Sequence, residues 1–539
     1  MHSSRITFLN KDQHGFPRIR LLGCCLAVAA FVLAGLPGPA DAEALTPLEE
    51  QGKRLYFEGK DAAGKPLAAY VGQMSAKIKA SSVPCGNCHG ADGKGRPEGG
   101  IEPPDITWMN LTKPYGHEHR DRSHPAFTAA KLKTALVSGI DPGGNRLDVA
   151  MPRFGLSDGD VDALVAYLKR LESDFGPGVT AHNLRIGTLL PVSGPAGEMG
   201  TVLHGILAAY FEDLNSRGGV YGRKITLVAA EAGHTPMETV AIARRMVEEG
   251  DLFALVSVYA EGADVALANL AREAKIPLIA PFSYFPRGSN SVNAYTFQLF
   301  PPLADQARAL LKYMAGERPG EQRAALVVDA VGGAGELIAA MTRSGKEKGW
   351  EIVPSSYGGK PGDAEALAGR LRNEGFDAVF YFAAPQGLLS FVAAADRIGW
   401  KPDLLGPGYL AGPDFFALQS KIGFRLFLVS PTSPGDRHPA ALAHLNRLAL
   451  PLGLNGRHMS AQVFAFAAAE IFTEALRRTG RSLRRDRLRV ELEGLADFET
   501  GVLHRIEYGP NRHVGSNGAY IVSLDDVNHG SRPVWVPLD

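Results

Sequence analysis

Two different spacings of apolar residues divide the chain into a helical N-terminal part and an alternating C-terminal part. Between residues 43 and 174, two amphipathic segments carry apolar positions three and four residues apart, as on one face of a helix. The first begins at Thr46, where a first-turn proline and Glu49 predict a capping box. The second begins at Ser157, and Gly52 leaves a notch where the two helices can meet. The pattern predicts a small all-α domain.

From residue 183 onward, short apolar strands alternate with helical segments. The predicted strands are 184–190, 225–229, 253–258 and 277–280, then, after residue 298, 324–328, 351–353 and 378–382. This alternation is typical of parallel sheets covered by helices on both faces. It predicts a two-lobed α/β domain over residues 183–539. The Gly-Pro-Gly segment within 175–182 is predicted to be a flexible linker that lets the two domains move independently.

Composition narrows the classes of function. The chain has 539 residues, 45% of them hydrophobic and 21% charged, which is the composition of a soluble protein with several domains. Lys plus Arg and Asp plus Glu both number 57, and no basic run is longer than a pair such as Arg484-Arg485. With no basic patch to bind phosphates, the sequence gives no reason to expect a nucleic-acid partner.

The first 42 residues are predicted to be a secretory signal peptide. Arg18 and Arg20 precede an apolar run at 21–36, and Ala40-Asp41-Ala42 offers a small-x-small cleavage site. The run of 16 residues is shorter than the roughly 20 that cross a membrane, so an uncleaved anchor is the less favoured alternative. Cleavage would remove Cys24 and Cys25 and leave two cysteines in an exported, periplasmic protein.

Those two cysteines belong to the stretch Cys85-Gly86-Asn87-Cys88-His89. Cys-x-x-Cys-His is the spacing at which two thiols form thioethers to one haem and the histidine binds its iron. A redox dithiol or half of a zinc site are the alternatives, but zinc would need a second Cys or His pair. The motif predicts one covalently attached haem c, held by Cys85, Cys88 and His89.

A second iron ligand is expected from the other side of the haem, and Met151 is the predicted one because its thioether lies just before the last helix. Met151 could instead be an ordinary core residue. Other candidate ligands from the same region are Met109, His117, His119 and His124. Charged neighbours suggest that the three histidines are solvated.

These residues resemble a class I c-type cytochrome over about 130 residues. The matching stretches include Leu55-Tyr56, Cys85 to Gly95, Pro103-Pro104-Asp105-Ile106-Thr107, Gly139-x-Asp141, Met151-Pro152-x-Phe154 and Leu164-x-x-Tyr167-Leu168. The resemblance implies that His89 and Met151 bind iron from opposite faces, that the terminal helices cross, and that the domain transfers electrons. It also implies haem attachment outside the cytoplasm.

In the C-terminal domain, the loops that follow the strands are the candidate binding site, because ligands of parallel sheets bind at the carboxyl ends of strands. A small, partly apolar organic solute would suit their aromatic and polar residues. The candidate residues are Ser193, Tyr259, Glu261, Gly262, Phe282, Ser283, Tyr284 and Ala384. Ordinary turn chemistry, or packing between the lobes, is the alternative role for each of them.

This domain resembles the type I periplasmic solute-binding proteins, in particular the branched-chain amino-acid receptors. The matching stretches include Pro191-x-Ser193-Gly194, Gly218-Gly219-Val220-x-Gly222-Arg223-Lys224-Ile225, Ile276 to Pro281 and Phe498-x-Thr500-Gly501. The resemblance implies two lobes joined by three crossovers that close on a solute, and docking onto a membrane ABC permease.

Two departures from that family count against an ordinary amino acid as the solute. Ala260-Glu261-Gly262 replaces the hydroxyl-bearing residues that receive the solute's carboxylate, and Gly406-Pro407-Gly408 contains no acid for its ammonium. An unpaired buried charge would cost several kcal/mol. Glu261 could instead meet a cation or face solvent.

The combined prediction is a non-enzymatic periplasmic haem protein that recognises a solute and exchanges electrons with a periplasmic redox partner. The alternative is an ABC-transport receptor, for an amino acid or a related solute, whose haem senses redox state. A catalytic haem is not expected, because both coordination sites would be filled. The sequence also offers no nucleophile, base and orienting group that can be placed together.

Overall fold

The computed structural model describes residues 45–539, apart from 73–74, 96, 98, 120–121, 287–291, 321, 330–333, 361, 411–423, 524–532 and 539. The predicted signal peptide, residues 1–42, lies outside the described residues. The described part follows the predicted order, a small helical domain and then a two-lobed α/β domain.

The N-terminal domain is built on two crossing helices. Its helices are α1 (Pro47–Glu58), α2 (Cys85–His89), α3 (Trp108–Leu111), α4 (Ala129–Ser138) and α5 (Asp158–Arg170). Capping boxes at Thr46 and Ser157 start α1 and α5. The helices meet at Gly52, where an added Cβ would lie 2.0 Å from the carbonyl oxygen of Ala163. Only glycine allows this approach, as the notch in the apolar pattern predicted.

Two small antiparallel sheets were not predicted. Their strands are β1 (Ala68–Val71), β2 (Ala76–Lys79) and β5 (Arg153–Phe154), in the order β2-β1-β5, and the hairpin β3 (His117–His119) and β4 (Arg122–His124). The three-stranded sheet buries Ala69 and Phe154 on its inner side, where Met151 packs against them. It therefore forms a wall beside the Met151 loop.

The first lobe of the C-terminal domain, lobe 1, has a parallel sheet in the order β10-β9-β8-β6-β7. Its strands are β6 (Asn183–Leu190), β7 (Lys224–Glu231), β8 (Ala254–Val256), β9 (Leu278–Ile279) and β10 (Thr296–Phe297). Its first helices are α6 (Gly197–Ser216), α7 (Pro236–Glu249) and α8 (Asp264–Glu273).

Lobe 2 has a larger sheet in the order β12-β11-β13-β14-β15-β16-β17, in which the last two strands are antiparallel. Its strands are β11 (Gln322–Asp329), β12 (Trp350–Tyr357), β13 (Ala378–Phe382), β14 (Asp403–Pro407), β15 (Leu426–Ser430), β16 (Gly518–Ser523) and β17 (Val534–Pro537). Its helices are α9 (Leu303–Glu317), α10 (Gly335–Glu347), α11 (Asp363–Asn373) and α12 (Pro385–Arg397).

After β15 the chain returns to lobe 1 and adds α13 (Pro439–Ala449), α14 (Met459–Thr479) and α15 (Arg485–Glu493). It thus passes between the lobes after β10, after β15 and before β16. Among the described helices, only α14 is long and apolar enough to span a membrane. Most of it is buried against α6 in the core of lobe 1, as expected of a core helix.

The segment 175–182 contacts lobe 1, and Asp174 just before it contacts the N-terminal domain, which differs from the contacts expected of a freely flexible linker. Asp174 pairs with Lys53 of α1 at 2.8 Å and accepts a hydrogen bond from Tyr167 of α5 at 2.7 Å. The backbone N–H of Gly178 donates to Asp251 of lobe 1 at 2.8 Å. Gly178 has a φ of 76°, and an added Cβ would lie 2.2 Å from the nitrogen of Phe253. The glycine here allows close packing.

Candidate functional site

A cavity of about 580 Å³ lies inside the N-terminal domain, and Cys85, Cys88, His89 and Met151 all line it. The four residues come from α2 and from the loop before β5. The rest of the wall is mainly apolar and includes Leu111, Phe127, Leu132, Leu136, Leu164 and Leu168. The fold therefore brings the two thiols, the imidazole and the thioether predicted from the sequence around one enclosed space.

The imidazole of His89 is held by the backbone. His89 is 5% exposed, and its Nδ1 lies 3.0 Å from the carbonyl oxygen of Pro104. Because a carbonyl can only accept, Nδ1 carries the proton and Nε2 is left to bind a metal. Burial lowers the pKa of His89, which favours the neutral ring. Tyr56 also fixes this turn, since its hydroxyl donates to the carbonyl of Gly90 at 2.7 Å.

The thiol of Cys85 does not have the properties of a reactive redox thiol. Burial raises the pKa of the Cys85 thiol to about 11, whereas reactive thiols have lowered pKa values. Within the described residues, no group of three or more His, Cys, Asp or Glu side chains could hold a metal ion. The geometry thus supports neither alternative use of the motif.

The other candidate ligands occupy different environments. Met109 is 72% exposed, whereas the rings of His117 and His124 line the cavity and stack at 5.0 Å. These two histidines are partly exposed, and the β3–β4 hairpin also places their rings against the cavity, which was not predicted. The buried Nε2 of His117 has no hydrogen-bond partner among the described residues. The side chain of His119 lies outside the described part.

These walls fit a haem. The thiols and imidazole are adjacent on one helical turn, the wall is apolar, and Met151 and His117 offer a thioether and an unpartnered nitrogen elsewhere in the cavity. Pro104 and the hairpin were missed as parts of the site. Pro104 stands in a motif noted in the sequence, but its carbonyl becomes a partner only through the fold.

Lobe 1 contacts the N-terminal domain on both sides of the Cys-x-x-Cys-His turn. Arg487 of α15 pairs with Asp92 at 2.9 Å. The guanidinium of Arg484 lies 4.8 Å from the centre of the Phe57 ring. That ring in turn packs on Gly86, where an added Cβ would lie 3.0 Å from it. Arg484, one of the Arg484-Arg485 pair, and Arg487 thus contact the haem-motif region.

In lobe 1, some candidate solute-binding residues are accessible. The hydroxyl of Tyr259 donates to Glu261 at 2.7 Å, and the carboxylate of Glu261 is exposed. Ser193 is also exposed, and its hydroxyl donates to Glu231 at 3.3 Å. Gly262 follows Glu261 with a φ of 77°, a value that favours glycine. These groups can present hydroxyl and carboxylate oxygens to a solute.

The neighbouring aromatic residues are mostly internal. Phe282 is 2% exposed, and its ring packs edge-on against Phe464 of α14 at 4.7 Å. Tyr284 packs against Phe282 at 5.0 Å, and burial raises the pKa of its hydroxyl. Ser283 between them is 8% exposed. Phe282 therefore packs within the core of lobe 1, which is neither the predicted solute contact nor the stated alternative of packing between the lobes.

Ala384 is the candidate solute-binding residue named in lobe 2. Ala384 lies at the N-cap of α12, and its backbone N–H donates to Asp329 at 3.1 Å. The glycine-rich loop before α10 lies largely outside the described residues. A contact that was not predicted joins the lobes, since the rings of Phe285 and Tyr409 lie 5.0 Å apart.

Two family models match the chain. The model described as periplasmic binding protein matches residues 183–530, and the cytochrome c model matches residues 76–172. The Leu/Ile/Val-binding protein of Escherichia coli strain K12 is 24% identical over 48% of this chain and 70% of its own. Leu/Ile/Val-binding protein homolog 7 of Brucella suis is 23% identical over 44% of this chain and 62% of its own, which is less than two thirds of its length.

Solved structures share the fold of the C-terminal domain. A branched-chain amino-acid ABC transporter protein from Thermus thermophilus with bound valine has a TM-score of 0.54 at 21% identity, over 66% of this chain and 97% of that one. A fatty acid ABC transporter substrate-binding protein from Thermomonospora curvata has a TM-score of 0.54 at 19% identity, over 68% of this chain and 94% of that one. At these identities the likeness concerns the fold alone.

Proposed function

Because this chain belongs to the periplasmic binding protein family and carries an N-terminal cytochrome c domain, we propose that it is a periplasmic electron carrier that also recognises a small organic solute. The observation that carries the proposal is the cavity in which Cys85, Cys88, His89 and Met151 meet. The electron-transfer partner is a second periplasmic redox protein. The solute receptor would link that exchange to the presence of its solute.

The cytochrome c domain implies haem c. In our proposal one haem would be held through Cys85 and Cys88, and Nε2 of His89 and the sulfur of Met151 would bind its iron. When bound, the haem would supply a one-electron couple between ferrous and ferric iron. The chain's own contribution is to hold the imidazole through the carbonyl of Pro104 and to line the cavity with apolar side chains.

The solute is proposed to bind between the lobes, where Tyr259, Glu261 and Ser193 present oxygens. Proteins of the same fold include one with bound valine and one for fatty acids, so the fold does not fix the solute. Glu261 is accessible and already receives one hydrogen bond. A solute with a hydroxyl or a cationic group suits these oxygens better than an α-amino acid, whose carboxylate would face a carboxylate.

A second candidate function is an ABC-transport receptor whose haem senses redox state. The contacts of Arg484 and Arg487 favour it, because they connect the receptor lobe directly to the haem-motif region. In this case an ABC permease would be the membrane partner. Solute affinity would then differ between the ferrous and ferric forms, as any coupling between two sites requires.

Thermal unfolding of the mature holo-protein tests the receptor function. The panel would contain branched-chain and aromatic amino acids, short alcohols, aldehydes, amines and aromatic alcohols. At a hundredfold excess over its Kd, a true ligand adds about 2.7 kcal/mol and raises Tm by a few degrees. Repeating the titration on reduced and oxidised protein separates the two candidates, since equal affinities would contradict the redox-sensing receptor. No shift with any solute would contradict solute recognition.

A further inference from the structure

The guanidinium of Arg153 binds the loop that carries Met151. Arg153 lies in β5, two residues after Met151, and its Nη1 donates to the carbonyl oxygen of Met151. Its Nη2 donates to the carbonyl of Leu147 at 3.1 Å and to that of Asp148 at 3.3 Å. One side chain therefore holds three carbonyl groups of the same short loop.

Arg153 is itself fixed from two sides. Its backbone pairs with Tyr70 in the three-stranded sheet. Its side chain lies against Gly139, the C-cap of α4, where an added Cβ would be 2.0 Å from Nε. Gly139 has a φ of 71°, so both its backbone and this contact require glycine. The arginine thus connects the end of α4, the sheet and the Met151 loop.

Such a connection matters for a thioether ligand. A neutral sulfur binds iron weakly, so its bond depends on how well the surrounding loop is held in place. Hydrogen bonds from a charged guanidinium are stronger than those between neutral groups. The fork of donors on arginine can serve several carbonyls at once, whereas the single ammonium of lysine cannot take the same geometry.

We propose that Arg153 is a positioning residue that holds the Met151 loop over the haem and so keeps external ligands from the iron. The proposal rests on the proposed function, since it takes Met151 as the axial ligand. Without Arg153, the loop opens more often, the sulfur leaves the iron for a larger fraction of the time, and an added ligand competes more successfully.

Imidazole binding to the full-length ferric holo-protein tests this role. Arg153→Gln is expected to tighten the apparent Kd of imidazole about tenfold, because a larger open fraction lowers the apparent Kd in proportion. It is also expected to weaken the far-red sulfur-to-iron absorption band. Arg153→Lys should fall between the wild type and Arg153→Gln, so it serves as the second variant if the glutamine protein folds poorly.

Lys77→Gln is the matched control. Lys77 is exposed in β2 of the same sheet, paired with Tyr70, and its removal changes the charge there without touching the loop. An Arg153→Gln protein with the imidazole affinity and band of the wild type would overturn the positioning role. Met151→Ala separates the two proposals: if that variant keeps the band, the ligand assignment itself is wrong, whatever Arg153 does.

Discussion

The proposed haem site and the proposed solute site differ in how their residues are brought together. Cys85, Cys88 and His89 lie on one helical turn, so forming that turn places all three. The candidate solute residues come from separate strand ends and differ in exposure, since Phe282 lies in the core and Glu261 in solvent. A site encoded in one short segment can be predicted from the sequence alone. A site assembled from loops depends on the path of each loop.

The largest expected effect is the loss of a covalent haem link when a cysteine of the Cys-x-x-Cys-His turn is replaced. Cys88→Ser should abolish the second thioether bond, because a hydroxyl does not add to the haem edge as a thiolate does. Mass spectrometry of the unfolded protein and the haem absorption spectrum would detect at most one covalent link. Ser193→Ala, a change in the other site, should leave haem content unaltered. Two thioethers in the Cys88→Ser protein would contradict the assignment.

The next prediction compares the stability cost of changing a core residue of lobe 1 with that of changing an accessible one. Phe282→Ala should lower the free energy of unfolding by about 3–5 kcal/mol, because it leaves a cavity against Phe464. Tyr259→Phe, which removes only the hydrogen bond to the exposed Glu261, should cost less than about 1 kcal/mol. Urea unfolding followed by circular dichroism measures both. Equal costs would mean that Phe282 is not a core residue.

A third prediction concerns the contact between the two domains. Arg487→Glu places a second carboxylate against Asp92 and should destabilise the N-terminal domain by roughly 1–2 kcal/mol, since the pair is only partly screened by solvent. Unfolding monitored by haem absorbance would report the loss. Arg489→Glu, on the same helix but paired with Glu493, is the control and should leave haem-detected unfolding unchanged. If both variants behave alike, the interdomain pair contributes nothing specific.

The smallest effect is a change in Tm with pH, and it is expected at Glu470, whose carboxyl belongs to neither proposed site. Burial raises the pKa of Glu470 in α14, although a hydrogen bond with Tyr210 partly offsets it. Because the folded state then holds its proton to a higher pH than the unfolded state, stability falls as pH rises from the unfolded pKa through the folded one. Glu470→Gln should therefore raise Tm at pH 7 and change it little at pH 4.

A control on the same helix sharpens this pH test. Glu474 forms an ion pair with Arg478, so Glu474→Gln should slightly lower Tm at pH 7 rather than raise it. Thermal scans of both variants from pH 4 to pH 8 would measure the difference. A Glu470→Gln protein whose Tm matched the wild type throughout would mean that this carboxyl titrates normally.

The sequence predicted those features that depend on local spacing. The capping box at Thr46, the helix start at Ser157, the notch at Gly52 and the alternating strands and helices are all present, and both family resemblances are confirmed. Each follows from residues within a few positions of one another, or from a repeated pattern over many. These are the signals that periodicity and capping rules detect.

What the sequence did not predict depends on distant partners. The strand Ala76–Lys79 has no strong strand-forming pattern, and it exists because β1 pairs with it. The carbonyl of Pro104 and the guanidinium of Arg153 acquire their roles only when the chain folds around the cavity. For the same reason the segment 175–182 has the composition of a free linker but packs against lobe 1.

The ion pair between Asp92 and Arg487 also has a consequence in time. Its two residues are 395 positions apart in the sequence. Domains generally fold as units, with the N-terminal one first, so the Cys-x-x-Cys-His turn can form before α15 is in place. The N-terminal domain can therefore fold before this contact with lobe 1 is made. When α15 folds in lobe 1, Arg487 pairs with Asp92 and so covers part of the surface of the N-terminal domain.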